Sequence, residues 1–393
     1  MKQQRLDRIL GIIAIFTILV AWVVGTTLTE IDVTPSLRIA FPEADRFEPI
    51  NGNGFAAIQS QSEDTTLGYV ALVTANAYGG PMKVAVAVDL EGNIHGLAIV
   101  QQKETASWIT KVLGTGFIKS LTGKSYMDDF QLTEDVDGVT GATYTSRAIA
   151  EAALLGSRTV AGKYLGLDLP VQAAPAIQFG IPEITLIGLF LVGFLGHKKK
   201  FKYTKQARWF SMLVGMIVLG FIYTQPLTLS DINKFLLGFW PAWQTNLYWY
   251  LLIGGMLLVF TVDNKNPYCE WFCPFGAAQE CMGVIGGAKP RTVGRNKNLM
   301  LCVQSCLAWL AIILALLFRN PGLTSFEVFG TLFDLTGSGW QFAILGIVLI
   351  ASLFIRRPWC NYLCPIRPVT DIYRTFRKWI LESWKTLKTK NPV

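Results

Sequence analysis

Residues 246–262, NLYWYLLIGGMLLVFTV, run without a charge toward Cys269-Glu270-Trp271-Phe272-Cys273-Pro274, and residues 339–355, GWQFAILGIVLIASLFI, run toward Cys360-Asn361-Tyr362-Leu363-Cys364-Pro365. Each apolar run is far too long for a strand and has the length of a membrane-crossing helix. Each delivers a C-x-x-x-C-P motif with aromatic or apolar residues between the cysteines, so the chain contains an internal repeat. Two copies supply four thiolates, Cys269, Cys273, Cys360 and Cys364, enough for a tetrahedral iron or zinc site or an iron–sulfur cluster. Proline suits the first position of a helix, which places the preceding cysteine at a helix N-terminus, where thiolate is favoured. Arg356, Arg357 and Arg367 add positive charge beside the second pair, and the first pair lacks comparable basic neighbours in sequence. A single such motif reads equally well as buried thiols packing as small hydrophobes. Two matched copies in equivalent places point to metal.

Working outward, four more apolar segments reach spanning length, at 9–27, 179–196, 209–225 and 299–318. The chain has a mean hydropathy of +0.38 and only 16% charged residues, well under the quarter usual in soluble proteins. Of its 35 Lys and Arg, 3 lie in residues 1–8, 6 in 197–208, 5 in 263–298 and 9 in 356–393. These segments fall on one side of six successive spans, so the positive-inside rule predicts both ends in the cytoplasm. Residues 29–176 carry 10 basic and 17 acidic residues and belong outside. The net charge of +8 is thereby a topology signal, and no nucleic-acid partner is needed to explain it. Val24 is followed by no small-x-small cleavage site, so residues 1–28 read as an uncleaved anchor. All seven cysteines lie outside residues 29–176, which argues against a disulfide framework. With only His95 and His197, and no C-x-x-C-H, the sequence argues against a c-type haem and a bis-histidine multi-haem core as well.

The outer segment reads as α+β. Gly68–Val73 and Lys83–Val88 have strand composition and are separated by Tyr78-Gly79-Gly80-Pro81; Glu91-Gly92-Asn93 turns into a third strand, Ile94–Val100. Helices are predicted over 105–121 and 144–165. Between them stands Asp137-Gly138-Val139-Thr140-Gly141-Ala142-Thr143. Gly141 and Ala142 leave the backbone open to a phosphate, and Thr143 opens a helix whose N–H groups favour an anion. A helix cap at Thr140 or Thr143 would also place threonine here.

The seven residues resemble the D-x-x-[ST]-G-A-T flavinylation motif of the FMN-binding domains in the sodium-pumping NADH:quinone reductase and the Rnf complex. That resemblance implies FMN joined through its phosphate to Thr143 by a separate flavin transferase, with Asp137, Thr140, Gly141 and Ala142 shaping the attachment loop. Lys103-Glu104-Thr105 resembles the family's H-x-E-T-P-G segment, in which Glu and Thr help hold the flavin; this assigns Glu104 and Thr105 to the site. Ala106 and Ser107 replace the Pro-Gly of that segment.

An outer FMN domain followed by paired C-x-x-x-C-P spans resembles the NosR family, which includes the regulator of nitrous-oxide reductase and PceC-type membrane flavoproteins; the membrane part also resembles NapH-type polyferredoxin anchors. Large NosR members carry further cysteines beyond the membrane part. Here that place is taken by a basic amphipathic segment, Thr370–Trp384, as in the shorter PceC-like form. The expected protein is thus an α+β extracytoplasmic FMN-binding domain (29–176) joined to an all-α six-helix transmembrane domain (1–28 and 177–370), with a basic tail over 371–393. It would sit in a bacterial inner membrane. It would pass electrons between a cytoplasmic donor or a quinol and a periplasmic redox protein, through an iron or iron–sulfur site and the flavin. The alternative is a redox-sensing regulatory or maturation protein for a respiratory enzyme. The loop 226–245, with Trp240, Pro241 and Trp243, reads as interfacial anchoring or as a quinol pocket. Cys281, Cys302 and Cys306 read as thiols buried in packing, with ligation of a second site as the alternative. This topology places the cysteines and the flavin on opposite faces of the bilayer, too far apart for one electron hop unless the motifs sink into the membrane on re-entrant segments, the FMN domain docks deep, or another cofactor intervenes.

Overall fold

In the computed structural model every residue is described except 1, 28–31, 51, 61–64, 78, 105, 133–134, 140–142, 172–176, 197–201, 290–296, 324–325, 336 and 391–393, with the backbone alone for 2–8, 106–108, 143–144, 297–298 and 382–390. Helix α1 (Lys2–Thr27) leads to α2 (Thr34–Ala40) and a five-stranded antiparallel meander. Its strands are β1 (Arg46–Ile50), β2 (Gly54–Gln59), β3 (Thr65–Ala77), β4 (Gly80–Asp89) and β5 (Ile94–Gln101). The three strands expected from composition are β3, β4 and β5, and the sheet adds β1 and β2 to them. Pro49 interrupts the donor row of β1, which is tolerated because β1 is the sheet edge.

Period-two alternation then divides the core. Val84, Val86 and Val88 of β4 face α5 (Thr143–Lys163), whose Ile149, Ala152, Ala153 and Val160 are buried against them. Ala85 and Ala87, pointing the other way, meet Leu37, Ala40 and Phe41 at α2 and its end. The helix expected over 105–121 is two pieces, α3 (Ala106–Gly114) and α4 (Phe117–Ser120). Gly116 separates them in the left-handed conformation, with φ +74°.

The rest of the chain is helical. Its elements are α6 (Ile181–Gly196), α7 (Thr204–Val214) continuing into a π-helix at Gly215–Ile222, α8 (Leu229–Leu237), α9 (Leu247–Asp263) and a short π-helix at Tyr268–Phe272. They are followed by α10 (Pro274–Ile285), α11 (Lys297–Leu317), α12 (Phe329–Phe333), α13 (Gly339–Phe354), α14 (Pro358–Tyr362) and α15 (Ile366–Lys390). All six apolar segments are helices. Among the described residues, three are long and apolar enough to cross a membrane: 9–27, 204–222 and 299–317. The apolar helices α6, α9 and α13 have 16, 17 and 16 residues, which at 1.5 Å rise is slightly short of a full hydrocarbon core. The connecting segments hold the difference from expectation, because α8, α10, α12 and α14 are short helices folded back into the bundle.

The sheet domain sits on the end of the bundle formed by the loops around Phe239 and Pro321. Lys103 Nζ lies 4.0 Å from the Phe239 ring centroid, and the Arg319 guanidinium lies 5.2 Å from it. Helix α15 packs at the opposite end, where Arg377 Nε donates to the Thr261 carbonyl at 2.9 Å.

Candidate flavin and iron–sulfur sites

The Asp137–Thr143 motif becomes regular at its end, since Thr143 is the first residue of α5, as the sequence predicts. Thr140, Gly141, Ala142 and Thr105 lie outside the described residues, and Asp137 is exposed on the approach to them. Glu104 is buried beside the start of α5. Its Oε2 accepts from the Thr145 hydroxyl at 2.5 Å, and its Oε1 accepts from the Gly79 N–H. Ser146 Oγ accepts from Val139 N–H at 3.3 Å, which ties the loop to the helix. Gly79 is required by close approach, for a Cβ there would collide with the Lys103 carbonyl. Lys103 is itself buried; burial, with the Arg319 guanidinium nearby, pushes its ammonium down to about 8. Thr145 and Lys103 escape sequence reading. A threonine two residues after Thr143 has no signature of its own, and a lysine next to Glu104 looks like any surface charge.

Below Thr145 a cavity of 740 Å³ opens between the two domains. Gly80 and Thr145 line it from the sheet domain, and Lys234, Tyr248, Trp249 and Phe333 from the helical domain. Of the two tryptophans proposed for a pocket in loop 226–245, neither lines this cavity, whereas Pro241 does. Trp240 and Trp243 are exposed, as interfacial anchors are.

The two cysteine motifs converge. Each of the six pairs among Cys269, Cys273, Cys360 and Cys364 is close enough to interact electrostatically. No three His, Cys, Asp or Glu among the described residues stand close enough to hold a single metal ion. A lone tetrahedral ion needs its sulfurs packed around bonds of about 2.3 Å, whereas a cluster spreads its thiolates over separate metal corners. Four cysteines near one another suit a thiolate-held iron or iron–sulfur group. Thiolate donors, burial and donors aimed at sulfur complete the fit: Gln279 Nε2 lies 3.3 Å from Cys360 Sγ, and Gln279 Oε1 accepts from Trp359 N–H at 2.9 Å. Gln304 Nε2 donates to the Cys364 carbonyl at 2.8 Å. Pro274 stands at N1 of α10, so Cys273 caps a helix as predicted.

The first motif is not without basic neighbours. Arg357 Nη1 donates to the Cys269 carbonyl at 2.7 Å, and Arg208 Nε donates to the Glu270 carbonyl at 3.0 Å. Arg357, Arg208 and Arg356 all meet the buried Glu280 carboxylate, at 2.8, 2.6 and 3.3 Å. Chain order hides these charges, because Arg208 stands 62 residues from Glu270 and Arg357 stands 88 residues from Cys269. A Gln279-Glu280 pair inside the apolar run Phe275–Ile285 is the available signal. Cys302 and Cys306 are exposed on α11 and Cys281 is half-buried, so the expected packing role for the α11 pair is corrected. That helix turns this face away from the bundle, and none of the three is among the interacting four.

The cysteine centre also reaches toward the flavin end. The Tyr268 hydroxyl oxygen, one residue before Cys269, accepts from Leu227 N–H at 2.7 Å. In α12, Phe329 packs on Phe275 at 5.0 Å and on Trp359 at 6.3 Å, next to Cys273 and Cys360. Gly330 and Phe333 of the same helix line the cavity beneath Thr145.

Fold and sites together define a membrane flavoprotein that combines an FMN-binding domain with a ferredoxin-like 4Fe-4S-binding domain. The FMN-binding domain family matches residues 77–154, and the 4Fe-4S binding domain family matches residues 245–292 and 339–382, one C-x-x-x-C-P in each stretch. In this pairing of domains the chain is similar to the NosR-like membrane flavoproteins. It is 23% identical over 252 residues to the regulatory protein NosR of Stutzerimonas stutzeri, covering 60% of this chain and 34% of NosR. It is 25% identical over 210 residues to NirI of Paracoccus denitrificans, covering 50% of this chain and 31% of NirI. It is 28% identical over 123 residues to a component of the proton-translocating ferredoxin:NAD(+) oxidoreductase complex of Clostridium ljungdahlii, covering 30% of this chain and 65% of that component. The chain thus spans about a third of NosR and NirI.

Proposed function

We propose that the protein conducts electrons across a bacterial inner membrane, between a cytoplasmic donor or a quinol and a periplasmic redox protein. FMN and the iron–sulfur group supply the one-electron chemistry when bound. In this reading Cys269, Cys273, Cys360 and Cys364 hold the cluster. Thr143 offers its hydroxyl for the phosphoester made by a flavin transferase, and Glu104 fixes the start of α5 through Thr145 and Gly79. The sheet domain faces the periplasm and the six apolar helices cross the bilayer, with the basic segments and α15 on the cytoplasmic side. Membrane lipid is then the surrounding partner of the helical domain.

The observation that carries the proposal is the position of α12. One five-residue helix touches the aromatic shell of the cysteines through Phe329 and the cavity beneath Thr145 through Gly330 and Phe333. In this reading the cysteine motifs and α12, both folded into the bundle, lie on the route between the two centres.

The test uses flavinylated protein in sealed proteoliposomes, with a reductant trapped inside and a membrane-impermeant acceptor outside. Electron flow should be lost in both Thr143→Ala and Cys364→Ala, with flavin fluorescence lost only in the first and the iron EPR signal only in the second. Flow that persists in either variant removes that centre from the path. A sensing role is the second reading, favoured by the description of NosR as a regulatory protein. It predicts both spectroscopic signals with negligible transmembrane flow.

A further inference from the structure

We infer that the isoalloxazine ring of the flavin lies in the cavity between the two domains, against side chains of the helical domain, and not within the FMN-binding domain. This inference rests on the proposed attachment at Thr143. Three observations carry it. Thr145, in the same first turn of α5 as Thr143, lines the cavity, so the head of that helix borders it within reach of a cofactor tethered through its phosphate and ribityl chain. The cavity, at 740 Å³, lies within the size range of cofactor sites. Its helical-domain wall carries the aromatic side chains a planar ring packs against, Trp249 and Tyr248 among them.

The same wall carries Lys234, buried and 3.6 Å from Asp231. A flavin ring gains negative charge at its N1–C2 carbonyl edge when reduced, and a fixed cation nearby favours the reduced form. Lys234 is in this arrangement a positioning and tuning residue contributed by the helical domain. The geometry makes the flavin site a product of both domains, which also places the ring above Phe333 and the rest of α12.

The experiment takes full-length flavinylated protein in detergent and measures flavin fluorescence twice, in the native state and after denaturation. Denatured fluorescence reports attachment alone. Native fluorescence reports the ring's neighbours, because an indole in contact quenches a flavin. The native signal should be strongly quenched and protected from iodide, and Trp249→Phe should raise it several-fold with no change after denaturation. Lys234→Met should shift the flavin midpoint potential downward. A native signal as open to iodide as free FMN, or unchanged by Trp249→Phe, overturns the inference while attachment still stands. So does quinone recovered with the protein in amounts matching it, together with unquenched flavin, which would assign the cavity to quinone. Flavin retained after denaturation in Thr143→Ala would instead sink the attachment reading, a result the native measurements do not share.

Discussion

Lys103 of the sheet domain holds its ammonium 4.0 Å above the Phe239 ring of the helical domain, and Arg319 approaches that ring as well. The contact joins the segment that carries Glu104 to the loop that leads into α9. Burial and Arg319 together push the Lys103 pKa down to about 8 from 10.5.

A pH dependence follows from that depression. The folded state binds the Lys103 proton less tightly than the unfolded chain does, so between about 8 and 10.5 the unfolded state holds more protons. Stability relative to a Lys103→Met variant should therefore rise as pH rises through this window and be flat below it. The cation–π contact itself, worth about 0.5–2 kcal/mol, is lost over the same window. Thermal unfolding of both proteins across the window checks the sign, and a constant difference would show that Lys103 titrates normally.

Glu104 accepts at both oxygens, so Glu104→Gln turns one acceptor into a donor with almost no change of size. The Gly79 N–H keeps an acceptor, but the Thr145 oxygen must then accept from the amide and its own hydroxyl proton loses its partner. A buried group left unpaired costs about 1–3 kcal/mol. Flavin incorporation, read as fluorescence of the denatured band, should fall in Glu104→Gln and fall further in Glu104→Ala. Full incorporation in both would remove Glu104 from the site.

Gln279 and Gln304 separate two effects at the cysteines. Gln279 points its amide at the Cys360 sulfur, whereas Gln304 bonds the Cys364 carbonyl. Hydrogen bonds to sulfur raise a cluster's potential. Gln279→Leu should lower the midpoint by about 60 mV, the equivalent of about 1.4 kcal/mol for one electron. Gln304→Leu should reduce cluster loading and leave the potential of the loaded fraction in place. EPR-monitored redox titration reads both quantities.

Phe329 packs between Phe275 and Trp359 on the helix that reaches the cavity. Phe329→Leu keeps most of the volume and should cost less than about 1.5 kcal/mol, leaving both spectroscopic signals present. Flavin reduction from the far side should nevertheless slow. Phe329→Ala, with a destabilisation of about 3–5 kcal/mol, should slow it further. An unchanged rate in both variants would show that electrons bypass α12.

Much of this architecture is legible in one dimension. Apolar runs, the period-two pattern of β3 to β5, the head of α5 at Thr143 and the two C-x-x-x-C-P copies are local features, and local features survive in a string of residues. Strands β1 and β2 do not announce themselves, because an edge hairpin whose outer strand carries Pro49 needs little apolar surface to pair with β3. The charges around the first motif are also invisible. Arg208 and Arg357 reach it only because α7, α10 and α14 are packed side by side.

Residue types and short spacings were enough to establish that this chain pairs an FMN-binding domain with a cysteine-rich helical domain, since motif chemistry depends on little else. The folded chain added that the four cysteines come near one another, that Glu104 meets Thr145, and that α12 lies between the aromatic neighbours of the cysteines and the cavity. Glu104 and Thr145 are 41 residues apart, and Gln279 and Cys360 are 81 apart. Contacts at such separations are set by how apolar faces and inward-folded loops pack, and no spacing rule along the chain encodes that packing.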